Sequence, residues 1–234
     1  LTHIEKPFIL VIFGASGDLA KLKLFPALYS LMEQHRFPKK FYIIGYARTP
    51  KSDKEFQKEF KESIEKEYDK LKNANTINKN LLENLSKNVH YFSGQYDKID
   101  DFKKLRSHLK ELVKKEHLKE SEVTKLAYFS VPPVVFKDII ENLGETKESK
   151  NEDLRLILEK PFGEDMASAT ELFHFVARYF EEDNIYLLDH YLGKSAVQSL
   201  LHLRHSNRLI NSMMKGPEVS NIQITAFEKL GVTS

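Results

Sequence analysis

The sequence predicts an α/β fold, a doubly wound parallel sheet followed by the start of an α+β second domain that the chain leaves incomplete. Three observations carry this. Short apolar runs alternate with stretches of helical periodicity through about residue 190. The first run leads straight into a turn of small residues, Gly14-Ala15-Ser16-Gly17. Beyond Gly193 the alternation gives way to one helix, a looser stretch and a single alternating run. The expected domains are therefore residues 1–190 and 191–234.

Phe8-Ile9-Leu10-Val11-Ile12-Phe13 is continuously apolar, as a parallel strand covered on both faces must be, and residues 19–32 repeat apolar side chains at helical spacing. Residues 40–45 read as the second strand. A charged helix follows at about 53–71, its Lys and Glu alternating around a sparse apolar stripe as a solvated face. Polar residues 73–80 read as a loop, 89–93 as a strand and 100–115 as a long amphipathic helix. The strand at 126–131 stops at Pro132-Pro133, and the second proline is suited to open a helix ending near Leu143. A strand at 154–158, a helix at 166–180 and a strand at 185–188 complete the alternation. A helix from Ser195 to about Arg208 and a strand at 222–227 begin the second domain.

With 234 residues, 41% of them hydrophobic, the chain can bury one full core and part of another. Lys plus Arg number 36 against 34 Asp plus Glu, and a net charge of +2 offers no bulk field for nucleic acid or an anionic membrane. Neither is an expected partner. The absence of cysteine excludes disulfides, thiolate ligands and a cysteine nucleophile, and fits a reducing compartment. The apolar run at 8–13 is too short to span a bilayer and no signal-peptide pattern precedes it, so a soluble, cytoplasmic protein is expected. The chain begins at Leu1 rather than methionine and ends just after a strand-like run, which reads as a fragment.

Gly14, Gly17 and Ala20 place small residues three apart where the first strand meets the first helix. The backbone can then turn tightly, approach a pyrophosphate and present helix N-terminal amides to it, which makes the sheet Rossmann-type. An ordinary tight βα turn is the alternative. The second strand runs into Gly45-Tyr46-Ala47-Arg48-Thr49, where an NAD-specific fold carries an acid for the ribose hydroxyls. Arg48 stands there instead, suited to a 2′-phosphate, with Thr49 as a further hydroxyl donor, and this favours NADP. A plain surface arginine is the competing reading.

Glu159-Lys160-Pro161-Phe162-Gly163 ends a strand at the carboxyl edge, where ligands of open α/β sheets bind. Lys160 is placed to point at the site, a cis Pro161 would lock its geometry, and a strand-ending turn with a solvated lysine is the alternative. Asp189-His190-Tyr191-Leu192-Gly193-Lys194 packs an acid, an imidazole, a phenol and an ammonium into six residues. His190, Tyr191 and Lys194 suit a phosphate monoester, whereas one histidine and one carboxylate supply too few ligands for a metal, and none is expected.

The three segments, with Lys23-Leu24-Phe25-Pro26-Ala27-Leu28-Tyr29 after the first, resemble in order those of the glucose 6-phosphate dehydrogenase family. Weaker similarity at residues 45–48, 131–133 and 221–225 extends the resemblance over essentially the whole chain. The resemblance implies that Gly14, Ser16, Gly17, Asp18, Leu19 and Arg48 hold NADP, and that Lys23 and Lys160 lie between nicotinamide and sugar. His190, Tyr191 and Lys194 then hold the phosphate of glucose 6-phosphate, and Glu228 binds sugar hydroxyls. Two flanking positions depart from the family: Leu22 replaces a second basic residue and Ser195 an acid. The family's general-base histidine lies beyond Ser234, on a helix of a second domain whose antiparallel sheet also forms the subunit interface of a homo-oligomer.

The implied reaction is hydride transfer from the anomeric carbon of glucose 6-phosphate to NADP, giving the lactone as in the oxidative pentose phosphate pathway. Lys160 and Asp189 are the candidate catalytic residues, Asp189 by orienting an imidazole. His190 as the base is the minority alternative. Two rival readings are a non-catalytic NADP-binding module or fragment without turnover, and another NADP-linked oxidoreductase such as a nucleotide-sugar epimerase. The 234 residues alone are expected to bind cofactor without turning over.

Overall fold

Six parallel strands in the order β3-β2-β1-β4-β5-β6 form the centre of the computed structural model, which describes residues 5–70, 77–149, 152–223 and 225. The chain divides into two units, Leu1–Leu188 and Asp189–Ser234, treated separately below.

β1 (Phe8–Phe13) lies mid-sheet between β2 (Phe41–Ala47) and β4 (Thr124–Phe129), Phe8 facing Phe41 on one side and Thr124 on the other. Its six side chains are all buried. Ile9, Val11 and Phe13 join the core of one face, and Phe8, Leu10 and Ile12 that of the other. Fully burying such side chains stabilises by roughly 1.5–3 kcal/mol each, so a strand with no solvated face must be apolar throughout. β3 (Val89–Ser93) extends one side of the sheet, and β5 (Leu154–Glu159) and β6 (Ile185–Leu188) the other. This is the doubly wound dinucleotide-fold order, its switch point falling between β1 and β4.

α1 (Phe25–Glu33), α2 (Asp53–Lys70) and α3 (Lys79–Ser86) cover one face through Phe25, Tyr29, Phe56, Phe60, Leu82 and Leu85. α4 (Ile99–Lys115), α5 (Phe136–Glu145) and α6 (Met166–Val176) cover the other, led by Phe102, Leu109, Phe136, Ile139 and Val176. Just ahead of α1 the helix is wound as a π turn, Ala20–Leu24, in which the Phe25 amide donates to the Ala20 carbonyl. Pro26 accounts for it: the residue lacks an N–H and its ring crowds the carbonyl four back, so the preceding turn widens.

Several elements differ from expectation. α3 takes the last two residues of the expected loop at 73–80 and runs on to Ser86, where no element was expected: Asn78 caps it by accepting from the Leu81 amide at 3.1 Å, while its own amide donates to the Tyr29 hydroxyl at 2.9 Å. β4 starts two residues before the expected 126 because Lys125 is buried with its ammonium paired to Glu120 and Glu152. Pro133 opens a single 3₁₀ turn, and the α-helix proper begins at Phe136. α6 stops at Val176, four residues short of the expected end.

The second unit holds α7 (Ser195–Ser206) and α8 (Arg208–Met213), the latter absent from the sequence reading and capped by Asn207. Of the strand expected at 222–227, residues 222, 223 and 225 carry no strand and the rest lie outside the described residues. No helix among the described residues is long and apolar enough to cross a membrane, and no three metal-ligating side chains gather there.

Candidate dinucleotide site and phosphate turn

The turn after β1 is shaped by what surrounds it. Gly14 has φ +84°, a conformation that favours glycine, and a Cβ there would stand 2.1 Å from the Ser130 carbonyl oxygen at the end of β4. Its amide donates to the Tyr46 carbonyl at 2.9 Å, and the Gly17 amide donates back to the Gly14 carbonyl at 2.9 Å. The turn is thereby seated between the ends of β2 and β4. Ser16 and Leu19 are half-buried, Gly17 and Asp18 exposed, and helix begins at Asp18, whose first amides have no partner one turn back. The buried Ser130 hydroxyl beside the turn makes no hydrogen bond among the described residues.

Arg48, one residue past β2, is exposed and lies over the Tyr96 ring, 5.7 Å from its centroid. Thr49 is exposed, and its carbonyl accepts from the Tyr91 hydroxyl at 2.5 Å. Lys23 is exposed on the π turn, while its neighbour Lys21 pairs with Glu59 of α2 at 3.2 Å. Burial pushes the Glu59 carboxyl up, but Lys51 and Lys21 outweigh it and hold the group below the usual range.

At the end of β5, Lys160 is exposed and precedes a cis peptide bond to Pro161. Glu159 is buried, its carboxylate accepting from the Tyr128 hydroxyl of β4. Burial, then that carboxylate, keeps the phenol far above its ordinary pKa. The glycine turn, Arg48 and Lys160 thus occupy the carboxyl ends of β1, β2 and β5, one edge of one sheet.

In the second unit, residues 189–194 wind as a tight turn in which the amides of Leu192, Gly193 and Lys194 donate to the carbonyls of Asp189, His190 and Tyr191. One Asp189 carboxylate oxygen accepts from the Tyr191 amide at 2.9 Å, so the acid shapes the turn. The Lys194 ammonium lies 3.9 Å from the Tyr191 ring centroid, and both side chains are exposed, as is His190. Glu228 lies outside the described residues.

Tyr96 and Ser130 are not among the residues the sequence points to. The residue carrying the clearer pattern is Tyr96, an aromatic just past the carboxyl end of a strand on the ligand edge. Nothing in the sequence distinguishes Ser130, because only the packing around it leaves its hydroxyl without a partner.

A switch-point turn with a left-handed glycine, a helix start beyond it and a cation at the end of β2 define a nicotinamide dinucleotide-binding domain. Residues 11–199 match the family model described as glucose-6-phosphate dehydrogenase, NAD binding domain, and the chain belongs to that family. It is 40% identical over 228 residues to glucose-6-phosphate 1-dehydrogenase of Schizosaccharomyces pombe, covering 97% of this chain and 44% of that protein. The Chlamydia muridarum enzyme of the same name is 35% identical over 97% of this chain and 45% of its own length. A solved glucose-6-phosphate dehydrogenase in complex with glucose-6-phosphate superposes with a TM-score of 0.80 at 33% identity, over 93% of this chain and 43% of that one. For glucose-6-phosphate 1-dehydrogenase from Mycobacterium avium the TM-score is 0.71 at 29% identity, over 88% and 41%. The chain spans less than half the length of these relatives.

Proposed function

We propose that the protein carrying this chain is an NADP-dependent glucose-6-phosphate dehydrogenase, oxidising the anomeric carbon of glucose 6-phosphate to the 6-phosphogluconolactone. The observation that carries the reading is the turn after β6, where an ammonium beside a phenol offers a phosphate monoester a charge and a hydroxyl donor together. Family membership and a solved relative in complex with glucose-6-phosphate support the same substrate.

When bound, the nicotinamide accepts the hydride. Gly14 and Gly17 let the backbone close on the pyrophosphate, Ser16, Asp18 and Leu19 lead the helix start whose amides face it, and Arg48 pairs with the 2′-phosphate. Lys23 and Lys160 bring positive charge between cofactor and sugar, as in the family. His190, Tyr191 and Lys194 hold the substrate phosphate, and Asp189 keeps their turn wound while orienting an imidazole. Glu228 takes the sugar hydroxyls. The resemblance also makes the full-length protein a cytoplasmic homo-oligomer.

Lys194→Ala tests the reading. Loss of a charge-assisted hydrogen bond of ~1.5–3 kcal/mol raises the Michaelis constant for glucose 6-phosphate by about 10- to 100-fold. Oxidation of unphosphorylated glucose, followed by NADPH absorbance, stays unchanged. Equal loss with both sugars would remove the phosphate from this turn.

A further inference from the structure

Tyr96 takes no part in the reaction proposed above, yet it is the ring on which the cation of the cofactor site rests. Its own residue is only 9% exposed, whereas Arg48 is exposed, and among the described residues no carboxylate pairs with that guanidinium. The segment carrying Tyr96 is fixed on several sides. The Gly94 amide donates to the Ala47 carbonyl at 3.1 Å, and a Cβ at Gly94 would stand 2.2 Å from the Tyr46 hydroxyl oxygen. That hydroxyl donates to the Gln95 carbonyl at 2.7 Å, and the Gln95 amide donates to Asp101 at 3.0 Å. From α5, the Asn142 side-chain amide donates to the Tyr96 carbonyl at 2.9 Å in a buried bond. Burial pushes the Tyr96 phenol up, while the Arg48 charge and the Gly14 amide pull it back, so the phenol lies close to both.

We propose that Tyr96 is a positioning residue for recognition of the cofactor's 2′-phosphate: its ring holds the Arg48 guanidinium in place before the phosphate arrives. The inference rests on the assignment of Arg48 to that phosphate. An arginine on an unsupported stem loses rotamer freedom when it grips a ligand, and a guanidinium already lying over a rigid aromatic face has lost part of it beforehand. The two strand ends thus act together: β2 supplies the charge, and the loop after β3 supplies its support.

Dissociation constants for NADP and NAD, measured by calorimetry on wild type, Arg48→Ala, Tyr96→Leu and Tyr96→Phe, test this. Tyr96→Leu is expected to lower the preference for NADP over NAD by about fivefold to tenfold, with NAD affinity within about twofold of wild type. Tyr96→Phe keeps the ring and the preference. If Tyr96→Leu weakens both nucleotides equally, or leaves the preference intact, the inference falls. A loss with Tyr96→Phe as large as with Tyr96→Leu also overturns it, because the ring is then not the agent. Should Tyr96→Leu not fold, Tyr96→Met fills similar volume without an aromatic face and is read in the same way. Arg48→Ala separates the two levels. A preserved preference there removes the assignment of Arg48 itself, whereas its collapse beside an unaffected Tyr96→Leu removes only the role of Tyr96.

Discussion

The two turns proposed to hold phosphates are made of opposite materials. Residues 14–20 work through backbone, with the Gly14 and Ala15 amides both bonded to the Tyr46 carbonyl of β2 and the Gly14 α-carbon packed against the Ser130 carbonyl just past β4. Residues 189–194 work through side chains, with Tyr191, Lys194 and His190 exposed on a turn held by its own short-range hydrogen bonds. A site of the first kind cannot be changed without disturbing the sheet, whereas one of the second kind can lose its chemistry and keep its shape.

Gly14→Ala is the strongest test of that difference. The left-handed conformation costs an L-residue ~1–2 kcal/mol and the overlap with Ser130 ~1–3 kcal/mol more, so thermal unfolding is expected to fall by roughly 10 °C and dinucleotide binding to be lost. A variant that melts like wild type would break the comparison. Lys194→Ala comes next. Its stability should stay within ~0.5 kcal/mol of wild type even as the Michaelis constant for the sugar phosphate rises. A large loss of melting temperature would show that the second turn is structural after all.

The smallest effect lies away from both turns. His108 of α4 has a buried Nε2 with no hydrogen bond among the described residues and its ring centroid 6.3 Å from that of His90, which pairs with Asp53. Burial, then the His90 charge, lowers its pKa from 6.5, against the opposing pull of Asp53 and Glu111. A base whose pKa falls on folding binds its proton more readily when unfolded, so its neutral form supports the fold above that value and the support is lost as pH falls through it. Melting temperature should therefore decline between about pH 7 and 5, and less steeply in His108→Leu; parallel profiles would discard the assignment. Asp153 titrates elsewhere. Burial raises its carboxyl, but bonds from Lys6, Arg155 and Thr124 bring it down to about 2, so its contribution holds until pH drops below 3.8.

Legibility in the sequence followed the same division. The buried parallel strands were plain because nothing but apolar residues can fill a strand covered on both faces, and the glycine turn was legible because its small residues fall where the first strand meets the first helix. α3 was missed although Asn78 is a capping residue and Leu81, Leu82 and Leu85 keep helical spacing, because the helix is short and set among polar residues; its tie to Tyr29 is visible only in the fold. The start of β4 was hidden by Lys125, whose charge reads as exposed until Glu120 and Glu152 are seen around it. At the cofactor site, Arg48 was legible as a departure from an acid, but its seat on Tyr96 joins two strand ends that only the fold brings together.

Ser130 and Val131 close over Gly14, and that has a consequence for how the domain is assembled. β1 and its turn are synthesised before β4, yet one wall of the turn, Ser130 and Val131, follows a strand that emerges only after α4 has been made. Pairing of distant segments is slow because a long loop must close before any contact rewards it. The dinucleotide turn is thus completed only when the two halves of the sheet join, and capture of the cofactor by a nascent chain would report the moment of that joining.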